Sequence, residues 1–208
     1  MKKIILVLGI LIFSFSFLPG CSKKSEQKPA LNESQIEEAL EVGIKGKDLT
    51  LYEFQKEWCS NLGYGVAYAL FYTPFYRLSL LARNAAIRGV NFPPSLIKNV
   101  LKDDSETLHF VVTIYGSMSE PGFARDAIAS LKYNGKTIKP ILSINDQYAD
   151  VNREQVNVAV CEYKFSSTGI NPQAKITLIV TIPKEEGKPW GATEERVFSF
   201  PFNLSKIR

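Results

Sequence analysis

Two periodicities divide the chain, a helical spacing of apolar residues in its first half and a strict alternation in its second. Ser34 followed by Glu37 makes a capping-box pattern, and Ile36, Leu40 and Ile44 fall on one helical face, which predicts a helix over 35–44 that Gly43 and Gly46 weaken at its end. Leu51, Phe54, Trp58 and Leu62 recur at helical spacing and predict a second helix over 49–62. The next stretch carries both periods: Tyr64, Tyr68, Phe71 and Phe75 suit a helix, whereas Val66, Tyr68, Leu70 and Tyr72 alternate as a strand does. Thr73-Pro74 decides between them, because threonine caps a helix and proline is pre-set for its first position. A helix then runs from there to Gly89, and 65–72 is extended. Pro93-Pro94 breaks the chain before a short helix over 95–101.

From Thr107 onward the period is two. Leu108, Phe110, Val112 and Ile114 alternate with His109, Thr113 and Tyr115, as in a half-buried strand. Tyr133-Asn134-Gly135-Lys136 is a tight-hairpin signal, since both central positions of the preferred turn need positive φ. It joins expected strands over 127–133 and 136–144, and further strands read at 155–165, 175–182 and 194–204. The expected fold class is α+β, with a mainly helical N-terminal preface over 35–104 packed on a C-terminal antiparallel β-sandwich over 105–208. The architecture is immunoglobulin-like without the immunoglobulin signature: no tryptophan stands ready to pack on an inter-sheet disulfide, and Cys161-Glu162-Tyr163 reverses the order of a tyrosine corner.

The beginning of the chain follows neither pattern. Lys2 and Lys3 precede an apolar run over 4–18, and Leu18-Pro19-Gly20-Cys21 ends it with small residues and a cysteine. The run is about 15 residues long, short of the roughly 20 that a spanning helix needs. Charge, apolar length, small residue and cysteine in this order resemble the signal and lipobox of bacterial lipoproteins. The resemblance implies that residues 1–20 are a signal peptide and that Cys21 becomes the lipidated first residue. More than one acyl chain there gives stable membrane anchoring. Residues 21–34, polar with Pro29, then form a flexible tether. Ser22 stands where an aspartate favours retention at the inner membrane in enteric bacteria. The expected location is therefore the cell envelope, at the outer membrane facing the periplasm if the host has one.

Loss of the leader also changes the charge. Lys2 and Lys3 are two of 25 basic residues, so removing them leaves 23 against 21 acidic ones, a near-neutral body. With no long basic run interleaved with aromatics, nucleic acid is not an expected partner.

Candidate chemistry is sparse. His109 is the only histidine, and its strand neighbours supply no adjacent acid, so it reads as a surface side chain. No HExxH, CxxC or calcium-loop pattern occurs, and neither a metal nor a cofactor is expected. Ser95-Leu96-Ile97-Lys98 matches S-x-x-K and Ser143-Ile144-Asn145 resembles the second motif of penicillin-binding proteins, but the third motif is missing. The chain is expected not to be an enzyme. Cys59 and Cys161, the thiols left once Cys21 is acylated, either close a disulfide or pack as two free thiols. The leading functional expectation is a non-catalytic interaction or assembly module that meets another envelope protein or peptidoglycan. The alternative is a small-molecule or lipid-binding lipoprotein, whose pocket is lined by Tyr64, Tyr68, Phe71, Tyr72 and Phe75 where the helical region meets the sheet; the same aromatics also read as plain core.

Overall fold

A computed structural model describes residues 31–102, 106–188 and 190–208; the expected leader, Cys21 and the expected tether up to residue 30 lie outside the described residues. Helix α1 spans Glu33–Lys45. Its cap is Asn32 rather than Ser34: the Asn32 carboxamide oxygen accepts from the Gln35 N–H at 2.9 Å, and the Gln35 side chain accepts from the Asn32 N–H at 3.0 Å. The earlier start has a physical cause in Leu31, which is buried in the same apolar cluster that Ile36 packs against, so the two staple the chain entry across the cap. The expected tether over 21–34 is therefore shortened, because 31–34 belong to the folded body.

Helix α2, Leu51–Gln55, is capped by Thr50 and Glu53, and is much shorter than the helix expected over 49–62. A single 3-10 turn, Lys56–Trp58, follows it and leads into strand β1, Cys59–Asn61, which pairs with β2, Ala67–Phe71. Ladder pairing overrides helical spacing here, and the tighter turn buries the Trp58 indole against Phe54, Phe75 and Tyr76. Helix α3, Pro74–Arg88, begins as expected: the Thr73 hydroxyl accepts from the Tyr76 N–H at 3.1 Å, and Gly89 ends it with φ of 64°. Gly43 allows α1 to lie on α3, for a Cβ there would sit 2.2 Å from the Ser79 carbonyl oxygen. Buried Arg83 of α3 donates to the carbonyls of Gly46 at 3.0 Å and Leu49 at 2.6 Å, closing the end of α1. Helix α4 spans Pro94–Lys102.

The remaining strands are β3 Thr107–Gly116, β4 Ile128–Tyr133, β5 Lys136–Ile138, β6 Leu142–Ile144, β7 Asp150–Val151, β8 Asn157–Ser166, β9 Lys175–Ile182 and β10 Arg196–Asn203. They form two antiparallel sheets. One has the order β1-β2-β3-β8-β6 with β7 also on β8, and the other the order β10-β9-β4-β5. The strand expected over 136–144 is in fact two: β5 pairs with β4 in one sheet, and β6 with β8 in the other. Pro140, which has no N–H to give a ladder, lies between them. Asn134 and Gly135 of the preceding turn have φ of 47° and 73°, as the hairpin signal requires.

The fold is thus α+β with antiparallel sheets, and the N-terminal helices pack on strands. The region over 35–104 is not purely helical, since β1 and β2 carry the six-stranded sheet into it through the β2–β3 ladder. Inward residues of both sheets share one core, in which the Phe110 ring stands 4.9 Å from Phe71 of its own sheet and 5.2 Å from Phe202 of the other. The helices enclose a second cluster around Trp58, Tyr76 and Leu78, and Ile207 packs against both.

Candidate functional site

The strand pleat sorts the aromatics of 64–76. Within β2, Tyr68 and Phe71 have opposite parity, so they leave the sheet on opposite faces. Phe71 points into the core between the sheets, and Phe75 sits among the helices beside Trp58. Tyr72 packs edge-on against Tyr76 and near the His109 ring. The five residues expected to line one pocket are therefore split. Tyr64 and Tyr68 line the cleft described next, whereas Phe71, Tyr72 and Phe75 do not and pack against other rings.

That cavity is an open cleft of about 740 Å³ between α2 and the outer face of the six-stranded sheet. Leu51, Tyr52 and Gln55 form the helix wall, Cys59, Asn61, Tyr68 and Tyr115 the sheet wall, and the turn Gly63-Tyr64-Gly65 closes one end. Register explains the sheet wall: Asn61 stands opposite Tyr68, and Cys59 opposite Leu70. Gly63 and Gly65, with φ of 128° and 70°, let the turn lift Tyr64 until 85% of it is exposed. Its hydroxyl donates to the Glu154 carboxylate on the β7–β8 turn. That bond pushes the Tyr64 hydroxyl pKa up, whereas for Tyr115 burial is the leading cause of a rise. Burial also pushes the Cys59 thiol up to about 11, so it stays protonated and poorly nucleophilic at neutral pH.

Leu51, Tyr52, Gln55, Asn61 and Tyr115 are wall residues that sequence reasoning does not reach. Helical spacing groups Leu51 with Phe54, Trp58 and Leu62 on one face of a longer helix, and gives Tyr52, Gln55 and Asn61 no distinct role. Tyr115 is more than 40 residues from Tyr68 in sequence, and only the β2–β3 ladder brings them together.

The cysteines do not pair. Cys161 lies opposite Val112, which lies opposite Ala69, whereas Cys59 aligns with Leu70, Val111 and Glu162 on the other face. Three strand spacings of about 4.8 Å and opposite faces separate the two thiols, well beyond bridging distance, and both are free. Cys161 is buried in the core and Cys59 is half-buried in the cleft wall.

The remaining candidates are dispersed. His109 is 8% exposed rather than on the surface, and an acid does reach it: Glu162 Oε1, from the neighbouring strand, lies 2.9 Å from its Nε2. Ser95 and Lys98 are both exposed on α4. Asn145 is a structural clamp, donating to the carbonyls of Arg125 and Ala127 and accepting from the Tyr163 hydroxyl at 2.9 Å. Among the described residues no group of three or more histidine, cysteine or acidic side chains is placed to hold a metal ion, and no helix is long and apolar enough to cross a membrane.

No protein-family profile matches the sequence, and no curated protein matches it. Among solved structures the chain is similar to a protein of unknown function from Burkholderia pseudomallei, at 12% identity and a TM-score of 0.41, over 85% of this chain and 94% of that one. A likeness that slight carries neither fold nor function across.

Proposed function

We propose that this protein is a lipid-anchored envelope protein whose folded body binds a small ligand in the cleft between α2 and the six-stranded sheet. The observation that carries the reading is the cleft itself: about 740 Å³, lined by four tyrosines with a few polar groups, within the roughly 300–1,000 Å³ range of small-molecule sites. The anchor rests on the lipobox resemblance and Cys21. On this reading the body faces the periplasm at the outer membrane where the host has one. The two sheets form a β-sandwich of immunoglobulin-like architecture, a view supported by the Phe71, Phe110 and Phe202 rings that meet between them.

The role is non-catalytic. In its favour, the cleft wall carries no histidine, carboxylate or cation among the described residues, and its one thiol is held protonated. Nucleic acid is disfavoured on the same ground, together with the near-neutral charge of the mature chain.

A second reading, an assembly module for another envelope protein or peptidoglycan, is favoured by exposed Leu142, Ile144 and Val160, which register places on the outer face of the same sheet.

Two measurements test the proposal. Cys21→Ser yields an unlipidated protein that leaves the membrane fraction, and unchanged mass and fractionation overturn the anchor. In a melting screen with neutral oligosaccharides, sugar phosphates, medium-chain alcohols and short peptides, at least one class raises the melting temperature of the wild type and not of Tyr68→Ala. No rise from any class overturns the cleft reading.

A further inference from the structure

We infer that the cleft takes a neutral carbohydrate, a pyranose ring or short oligosaccharide whose C–H face lies on the tyrosines and whose hydroxyls meet the Gln55 carboxamide. The inference rests on the cleft reading above and names its ligand class.

The first observation is Gln55. The residue is only 7% exposed, and it lines the cleft. Among the described residues no protein group hydrogen-bonds its carboxamide. Its oxygen and nitrogen are not sealed from solvent, so in the empty cleft they meet water, and a ligand that displaces that water has to replace its hydrogen bonds. A carboxamide offers donor and acceptor side by side and carries no charge. Its natural complement is a group with the same dual character, such as neighbouring hydroxyls on a sugar ring.

The tyrosines supply the second observation. Tyr52, Tyr64, Tyr68 and Tyr115 converge on one cleft from a helix, a turn and two strands, and none of them makes a ring contact with another aromatic side chain, although eleven such contacts occur among the described residues. Many rings of the two cores pair with one another, whereas these four line the cleft, and a tyrosine combines an apolar ring with a polar tip. A pyranose has the same division, an apolar C–H face and a polar rim.

The charge pattern narrows the class. No lysine, arginine, histidine, aspartate or glutamate lines the wall, so nothing there compensates a phosphate, a carboxylate or an ammonium group. Asn61 adds a second neutral amide, and Glu154, which is not a wall residue, is engaged by the Tyr64 hydroxyl. A purely aliphatic ligand would leave the Gln55 amide unpartnered, which disfavours an acyl chain.

The test is saturation-transfer difference NMR on the full chain in a zwitterionic, sugar-free detergent, with three probes: an oligomer of N-acetylglucosamine, a maltooligosaccharide and octanol. Saturation reaching the ring C–H protons of either sugar supports the inference, and the sugar that responds tells an N-acetylated glycan from a plain hexose glycan. Titration then shows binding about tenfold weaker for Tyr52→Ala and for Gln55→Leu, each with a melting temperature near wild type. Because Tyr52 is largely exposed, its removal leaves the core intact. Octanol bound with neither sugar overturns the carbohydrate class and leaves the cleft reading standing; none of the three bound overturns the inference. Sugar binding that both variants retain unchanged also overturns it, because the site then lies elsewhere.

Discussion

Arg208 grips Glu57 with a two-pronged guanidinium, Nε to Oε1 at 3.0 Å and Nη2 to Oε2 at 2.6 Å, while its own carbonyl oxygen accepts from the Trp58 indole at 2.9 Å. The guanidinium also lies over the Phe75 ring and reaches Glu38. Residues about 150 apart in sequence are thereby joined at the helical layer. The arginine side chain is 45% exposed, so screening keeps the ionic part near ~0.5 kcal/mol, and the lost ring cover adds to it. Arg208→Ala is expected to lower stability by about 1–2 kcal/mol in urea unfolding. A cycle with Glu57→Gln should show coupling, and strictly additive effects would mean the fork contributes nothing.

Glu120 should make stability depend on acid. Burial pushes its carboxyl pKa up, but the Thr193 N–H and hydroxyl and the Arg196 guanidinium outweigh that and hold it below the usual carboxylate range. A pKa depressed by folding gives stability that is fully present above the unfolded value of about 4.3 and is lost as pH falls through the folded value. Glu120→Gln is therefore expected to be less stable than wild type at pH 7, and the two should converge below pH ~4. A gap that stays constant from pH 7 to pH 3 would show that the carboxylate charge is irrelevant.

The two thiols should behave differently towards a small alkylating reagent. Cys59 is half-buried and should react in the native protein, with a rate still rising at pH 10 because its thiol titrates at about 11. Cys161 should react only on unfolding. Denatured, unreduced protein should yield both thiols, and recovery of neither would refute the strand register that separates them.

Gly135→Val tests the β4–β5 turn. The position has φ of 73°, and nothing lies within 4 Å of an added Cβ, so the effect isolates backbone strain. An expected loss of about 1–2 kcal/mol lowers the melting temperature by roughly 2–8 °C. An unchanged melting temperature would mean that the turn relaxes at no cost.

Local chemistry was legible wherever one residue type has one use. Thr73-Pro74 and Gly89 bracket α3, and Asn134-Gly135 turns a hairpin, because few residues tolerate those dihedrals. Period alone failed where tertiary pairing competes with it. Trp58 and Leu62 kept a helical spacing through a segment that the β1–β2 ladder makes extended. The pocket residues carried a hidden contradiction: Tyr64, Tyr68, Phe71 and Phe75 share a face only in a helix, while 65–72 was expected to be extended. Alternation then puts Tyr68 in the cleft and Phe71 in the core. Tyr115 and Gln55 gave no signal, since a cleft wall assembled from distant segments leaves no spacing to read.

The crossing at Pro140 ties the opening of one sheet to that of the other. Because the chain leaves one sheet after Ile138 and enters the other at Leu142, neither sheet can fray through its β5 or β6 end without pulling on its counterpart. The two ladders should open as a single foldon. Amide protons of Leu131 and Tyr163, one in each sheet, should then exchange with the same free energy of opening and the same sensitivity to denaturant.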